Sequence, residues 1–176
     1  LLIGDSFVHG AAVNRPHDIA SVLIQKHGVS ALNLGYQGNG PLLEYATLKE
    51  YFPYKKKVNN IIWFYYEGND NYDLKEELKS KILIKYLDDE KFSQKLIKNE
   101  NKKDIFLKDY FKNVKTLYKI KKNSTEYKIK SFIKLKSLRT IMHKPKKNPN
   151  ELEKILKKVS NFSKSHEVDF YFVYLP

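Results

Sequence analysis

The residue with the most chemistry to offer is a serine that follows a short apolar run. Leu1-Leu2-Ile3 ends abruptly in Gly4-Asp5-Ser6, and Phe7 and Val8 follow. The pattern predicts a buried strand running into a tight turn, with Ser6 at the turn and a helix opening behind it. In open α/β sheets, ligands gather at the carboxyl ends of the strands. The first N–H groups of such a helix, and its positive dipole end, would face whatever the hydroxyl attacks. The alternative is that Asp5 and Ser6 are turn and N-cap residues, a use that both types favour.

Two later stretches repeat the design. Asn33-Leu34-Gly35-Tyr36-Gln37-Gly38-Asn39-Gly40 closes a second apolar run, and Ile61 to Glu67 is a third that ends in Gly68-Asn69-Asp70. In this order and with these gaps, the three turns resemble the SGNH (GDSL-type) hydrolase family. Gly4, Asp5 and Ser6 match its first block. Gly38 best matches the glycine of its second. Glu67-Gly68-Asn69-Asp70 matches the last three residues of its third block, Gly-x-Asn-Asp. The resemblance covers residues 1–75. It implies an α/β fold with a three-layer, flavodoxin-like parallel sheet, and cleavage or transfer of an ester-linked acyl group through an acyl-Ser6 intermediate. It implies no metal and no organic cofactor.

A serine hydroxyl is a poor nucleophile until a base takes its proton. It also needs hydrogen-bond donors where the oxyanion forms. The resemblance implies three donors: the N–H of Ser6, the N–H of Gly38 and the side-chain amide of Asn69. Gly4, Asp5, Gly68 and Asp70 would hold the turns. The residue types suit these roles, since glycine lets backbone approach a substrate closely and an asparagine amide donates without bringing a charge. Gly38 could equally be an ordinary turn glycine, with Gly35 or Gly40 in its role. Asn69 could be a turn asparagine in a left-handed conformation.

The base is the gap. The family places an Asp-x-x-His pair after its last strand, and this chain contains no Asp-x-x-His. Its histidines are His9, His17, His27, His143 and His166. His9 follows Ser6 by three residues, but nothing marks it with the orienting partner that a base needs. The expectation is that the pair lies beyond Pro176, in a further strand and loop, and that the 176-residue chain is one hydrolase domain incomplete at both ends.

Positioning these turns takes alternating strands and helices. Asp18 reads as the N-cap of a helix through about Lys26, with Ile19, Val22, Leu23 and Ile24 inward and Gly28 as its stop. Val29 to Leu34 reads as the second strand. Pro41 suits a first helical position, opening a helix whose Leu43, Ala46, Leu48 and Tyr51 face the sheet. Asp169 to Leu175, DFYFVYL, is a fourth strand. This alternation implies a parallel sheet between helical layers. Tyr36, Tyr65 and Tyr66 flank strand ends, where one or two could line a pocket.

Between the third and fourth strands, residues 74–143 are expected to form a helical insertion or lid. Asp73 and Glu76 make a capping-box-like start. Three apolar stripes follow: Leu74, Leu78, Ile82; then Phe106, Tyr110, Val114, Leu117, Tyr118; then Ile129, Phe132, Ile133, Leu138, Ile141. Breaks are expected at Asp88–Asp104 and Lys121–Thr125. Asn150 with Glu153 restarts a helix through Ser165.

The net charge of +13 is concentrated in this region. Residues 79–158 hold 25 Lys/Arg against 9 Asp/Glu, an excess of +16, while the rest of the chain carries −3. The lysines are expected on solvated helix faces. They could instead bind a polyanion such as an anionic glycan, lipid headgroups or nucleic acid. With no cysteine, disulfides, thiolate zinc sites and a cysteine nucleophile are excluded. The Gly4–Asp70 stretch looks most like a branch of the family found near envelope-polysaccharide genes, which makes an acetylated carbohydrate the expected substrate. The competing expectation is a non-catalytic module of the same fold that binds a polyanion through residues 79–158. Compartment and oligomeric state are not legible.

Overall fold

The computed structural model describes residues 1–54, 56–122 and 149–176. The chain divides into two compact units, one of residues 1–94 with 146–176, the other of residues 95–145. The first unit opens with β1 (Leu2–Ile3), α1 (Ser6–His9), α2 (Ile19–His27), α3 (Pro41–Tyr51), β2 (Asn60–Tyr66), α4 (Asp70–Glu77) and α5 (Lys81–Asp88). The second unit contains α6 (Glu100–Lys122). The first then resumes with α7 (Pro149–Ser165) and β3 (Asp169–Leu175). The architecture is α/β, with a three-stranded parallel sheet and seven helices among the described residues.

The sheet order is β1-β2-β3. Leu2 pairs with Ile62 and Ile3 with Trp63. On the other side of β2, the register runs from Asn60 opposite Asp169 to Tyr66 opposite Leu175. The strand expected at Val29–Leu34 is reduced to one parallel bridge between Leu2 and Asn33. In it the Leu2 N–H donates to Leu32 O and the Leu34 N–H to Leu2 O, both at 2.9 Å. The physical reason is that β1 is only two residues long and offers few ladder bonds, and Val29 and Leu32 stay largely exposed.

Successive residues of a strand point to opposite faces. Ile61, Trp63 and Tyr65 of β2 are buried on one face, and Ile61 and Trp63 cluster with Leu42, Tyr45 and Leu48 of α3, Leu74 of α4, Tyr86 of α5 and Ile155 and Val159 of α7. Ile62 and Phe64 face the other way, towards Leu2, Val8 and Ala20. The helix faces differ in part from their expected ones. In α2, Ala20 is the buried residue and Ile24 is largely exposed; in α3, Leu42 and Tyr45 turn inward and Tyr51 outward. A one-sided stripe reads α3 poorly because it packs against α4, α5 and α7 as well as the core, and it buries even Glu44 and Glu50. Glu50 accepts the Tyr86 hydroxyl and the Gln94 N–H, both at 2.6 Å.

The start of the third region also differs. α4 opens at Asp70, with Asn69 as its N-cap, not at Asp73. Glu76 makes no capping box and pairs on the surface with Lys79 at 2.5 Å. The Leu74–Leu78–Ile82 stripe is cut, because α4 stops at Glu77 and Ser80 caps α5, leaving Ile82 exposed. α4 and α5 thus belong to the first unit. α6 opens at Glu100, earlier than expected, and runs through Lys122. The third stripe, Ile129 to Ile141, and the rest of the Lys121–Thr125 break lie outside the described residues. Among the described residues no helix is long and apolar enough to cross a membrane.

Candidate functional site

The first turn is built by Asp5. Its Oδ1 accepts the Phe7 N–H at 2.9 Å and caps α1, and its Oδ2 accepts the Ser6 hydroxyl at 3.1 Å. Asp5 is buried and Ser6 half-buried, so the carboxylate fixes the hydroxyl from behind. The helix behind Ser6 is a single turn, closed by Gly10 at φ +78°. Gly4 takes φ +155°, and a Cβ there would stand 2.5 Å from Val8 Cγ2. No side chain fits that position.

The second turn lies against the first. The Tyr36 N–H donates to Gly4 O at 3.2 Å, and Asn33 Nδ2 donates to Val8 O at 2.6 Å. The three glycines of this loop play different parts. A Cβ on Gly35 would meet Val8 Cβ at 2.6 Å, and one on Gly40 would meet Asp73 Cβ at 2.8 Å. Both are therefore close-packing positions. Gly38 has φ +84°, and among the described residues nothing lies within 4 Å of where a Cβ would stand. Its N–H and that of Ser6 have no acceptor among the described residues.

The third turn joins β2 to α4. Asp70 Oδ2 accepts the Tyr66 N–H at 2.7 Å. Asn69 sits at φ −131°, so it is not a left-handed turn asparagine. Its Nδ2 donates to Asp73 Oδ2 at 2.8 Å, which aims the amide and leaves one of its two hydrogens free. Gly68 would carry a Cβ 2.4 Å from the Tyr66 ring. The Phe7 and Tyr66 rings meet edge to face at 4.8 Å, tying the first turn to the third. All three turns follow the carboxyl ends of β1, its Leu32–Leu34 neighbour and β2, which run parallel.

Behind the turns lies a group of buried acids. Glu77 Oε1 accepts the Gly40 N–H at 2.6 Å; its Oε2 accepts those of Leu42 and Leu43 at 3.0 and 3.3 Å. Burial pushes Glu77 up to about 7 against the pull of these three hydrogen bonds. Asp70 is pushed up to about 8, first by burial and then by the charges of Asp5, Asp73 and Glu77, and its Oδ1 has no hydrogen-bond partner among the described residues. Burial and the charge of Asp70 hold Glu44 well above the usual carboxylate range, although Trp63 donates to it. Asp73 is raised by burial as well.

The histidines stand elsewhere. His9 Nδ1 lies 3.3 Å from Gly35 O, with its ring edge-on to Tyr36, at the rim of the site. His166 packs on Phe162 at a centroid distance of 4.2 Å, just before the amino end of β3 and so at the far end of the sheet from Ser6. His17 and His27 are exposed. His143 lies outside the described residues. Among the described residues, Asp5 is the only side-chain partner of the Ser6 hydroxyl. No three His, Cys, Asp or Glu among them could hold a metal ion together.

Of the flanking tyrosines, Tyr65 is core, where burial pushes its hydroxyl up to about 12, while Tyr36 is open beside the loop. Sequence reasoning missed Asp73, Glu77 and Glu44. A signal for two of them exists: Asp70, Asp73 and Glu77 fall on one helical face with the core residue Leu74, a face where three carboxyls need partners. Searches against protein-family models, curated proteins and solved structures find no match to this chain.

Proposed function

We propose that this chain is a serine ester hydrolase domain of the SGNH type, acting through an acyl-Ser6 intermediate. The observation that carries the reading is a hydroxyl oriented by a buried carboxylate at one turn, with the Gly38 loop hydrogen-bonded to that turn through Tyr36 N–H and Gly4 O, and with the N–H groups of Ser6 and Gly38 lacking an acceptor among the described residues. The bridge at Leu2–Asn33 adds support, because it extends the parallel order in the sense of a flavodoxin-like sheet. In the reaction, Ser6 Oγ attacks the ester carbonyl and loses its proton to a base. The oxyanion is met by the N–H groups of Ser6 and Gly38 and the amide of Asn69. The alcohol leaves with a proton, and water then hydrolyses the acyl-serine. An acetylated carbohydrate is the proposed substrate class.

The test is covalent trapping. A fluorophosphonate should modify Ser6, read by mass spectrometry of the peptide, and should not modify a Ser6→Ala chain. Equal labelling of the two would sink the reading. A second reading, a module that binds a polyanion, is favoured by the +16 excess within residues 79–158. It requires retention on heparin that falls steeply with salt as counterions are released. No retention at low salt leaves the lysines as a solvated surface.

A further inference from the structure

We infer that Glu77 is the positioning residue of this site, a carboxylate clip that fixes the Gly38 loop against the helix carrying Asn69. In its reference to catalysis the inference rests on the hydrolase reading above; the clip itself does not. α3 starts without a cap of its own. Gly40, its N-cap, has no side chain, and Pro41 has no N–H. The N–H groups left over at a helix start need partners when buried. Here all three, from Gly40, Leu42 and Leu43, go to one carboxylate 34 to 37 residues away. Charge-assisted bonds of this kind are the strong ones, and the helix dipole adds to them.

The clip reaches both donors. Gly40 lies two residues beyond Gly38, and its backbone rests directly on Asp73. Asp73 in turn holds the amide of Asn69. The other end of the loop is pinned where Gly35 meets Val8 and His9. Gly38, where a Cβ would meet nothing among the described residues, is left as the part of the loop free to face a ligand. Without Glu77 the loop keeps its anchor at Gly35 and loses the one at Gly40.

The acids around Glu77 bear on its protonation: Asp73 and Asp70 from α4 and Glu44 from α3, with Asp5 acting on all three. All are like charges, and burial is the largest influence on Glu77. Three N–H groups want an anion that the surroundings disfavour. The loop should therefore loosen as Glu77 takes up a proton.

The experiment compares the wild-type chain with Glu77→Gln by amide hydrogen exchange and by fluorophosphonate labelling. In Glu77→Gln, the Gly40, Leu42 and Leu43 amides should exchange at least about tenfold faster, the scale of losing charge-assisted bonds, while β2 amides keep their protection. Unchanged exchange at these three amides overturns the clip. Ser6 labelling should slow by about tenfold or more for a misplaced donor, with the wild-type pH limb near neutrality lost and partial rescue in Glu77→Asp. Labelling at the wild-type rate and pH profile overturns the positioning role. Should wild-type Ser6 take no label while the amides respond as stated, the hydrolase reading fails and the clip stands. If Glu77→Gln does not fold, the wild-type titration decides: the Gly40 amide shift must follow the Glu77 carboxyl carbon, and an amide that ignores it refutes the clip.

Discussion

Trp63 donates its indole N–H to Glu44 Oε2 at 2.5 Å, in the middle of the core. Both residues are fully buried, and Glu44 Oε1 has no hydrogen-bond partner among the described residues. Taking a carboxylate out of water is costly unless it is well paired. The amide of Gln keeps an acceptor for the indole and carries no charge. Glu44→Gln is therefore expected to raise the melting temperature, more so at pH 8 than at pH 5. Glu44→Ala should lower stability by about 2–4 kcal/mol, because it leaves a cavity and an unpaired indole N–H. Trp63 is the one tryptophan of the chain, so its fluorescence reports both melts. A Glu44→Gln chain less stable than wild type at pH 8 contradicts the argument.

Stability should fall as pH rises from about 4 to about 8. Asp70 and Glu77 are pushed up to about 8 and about 7, whereas in an unfolded chain such groups lose their protons near about 4. Within that window the folded chain holds more protons than the unfolded one, so raising the pH favours unfolding. Asp18 works the other way: hydrogen bonds from Ser21 hold it below its ordinary value, and its contribution is lost in acid below about 4. Urea titrations at stepped pH check the slope. Asp70→Asn should flatten it and gain on the order of 1–3 kcal/mol at pH 8. A wild-type profile that rises between pH 5 and 8 would refute this.

The loop glycines should separate by mechanism. Gly35→Ala drives a methyl into the Val8 side chain and the His9 backbone nitrogen, at 2.6 and 2.9 Å. Overpacking of this sort costs about 1–3 kcal/mol. Gly38→Ala meets open space and costs about 1–2 kcal/mol from its positive φ. Thermal melts of the pair give the ranking. Their Ser6 labelling should give the opposite one, with Gly38→Ala the slower of the two for its stability. Equal effects on both readouts would mean that the loop acts as one unit.

Turnover should be far weaker than trapping. Triad members act together, and oxyanion donors alone leave only residual rate. With Asp5 as the one described partner of the Ser6 hydroxyl, Ser6 should react slowly, so that an irreversible fluorophosphonate accumulates label with time while an activated acetyl ester shows little sustained turnover above Ser6→Ala. Sustained turnover that depends on Ser6 would mean that the chain carries a working base, and His9→Ala would be the first variant to assay.

β2 to within a residue at each end, both ends of β3, the Asp18 and Gly28 caps of α2 and the Pro41 start of α3 were readable, because each is set by local chemistry: an apolar run, a capping oxygen, a fixed φ. What was not readable depends on partners distant in sequence. Val29–Leu34 has strand composition, yet its ladder is limited by the two residues of β1. Glu76 had the spacing of a capping box, but α4 begins a turn earlier, and the acid that matters is its neighbour Glu77, whose partners lie in α3. Glu44 and Glu50 look like solvent-facing helix residues until Trp63 and Tyr86 are found against them.

The Glu77 clip also orders events in time. A helix start without local capping nucleates poorly, and a short helix is marginal alone in water. The start of α3 gains its cap only when a residue 37 positions further along the chain has arrived. Contacts across such separations form after local ones, because loop closure must come first. The Gly35–Gly40 segment should therefore fold late, after β2 and α4 have docked on the core. Leu42→Ala, close to the clip, should show a low φ-value, speeding unfolding and leaving the folding rate nearly unchanged.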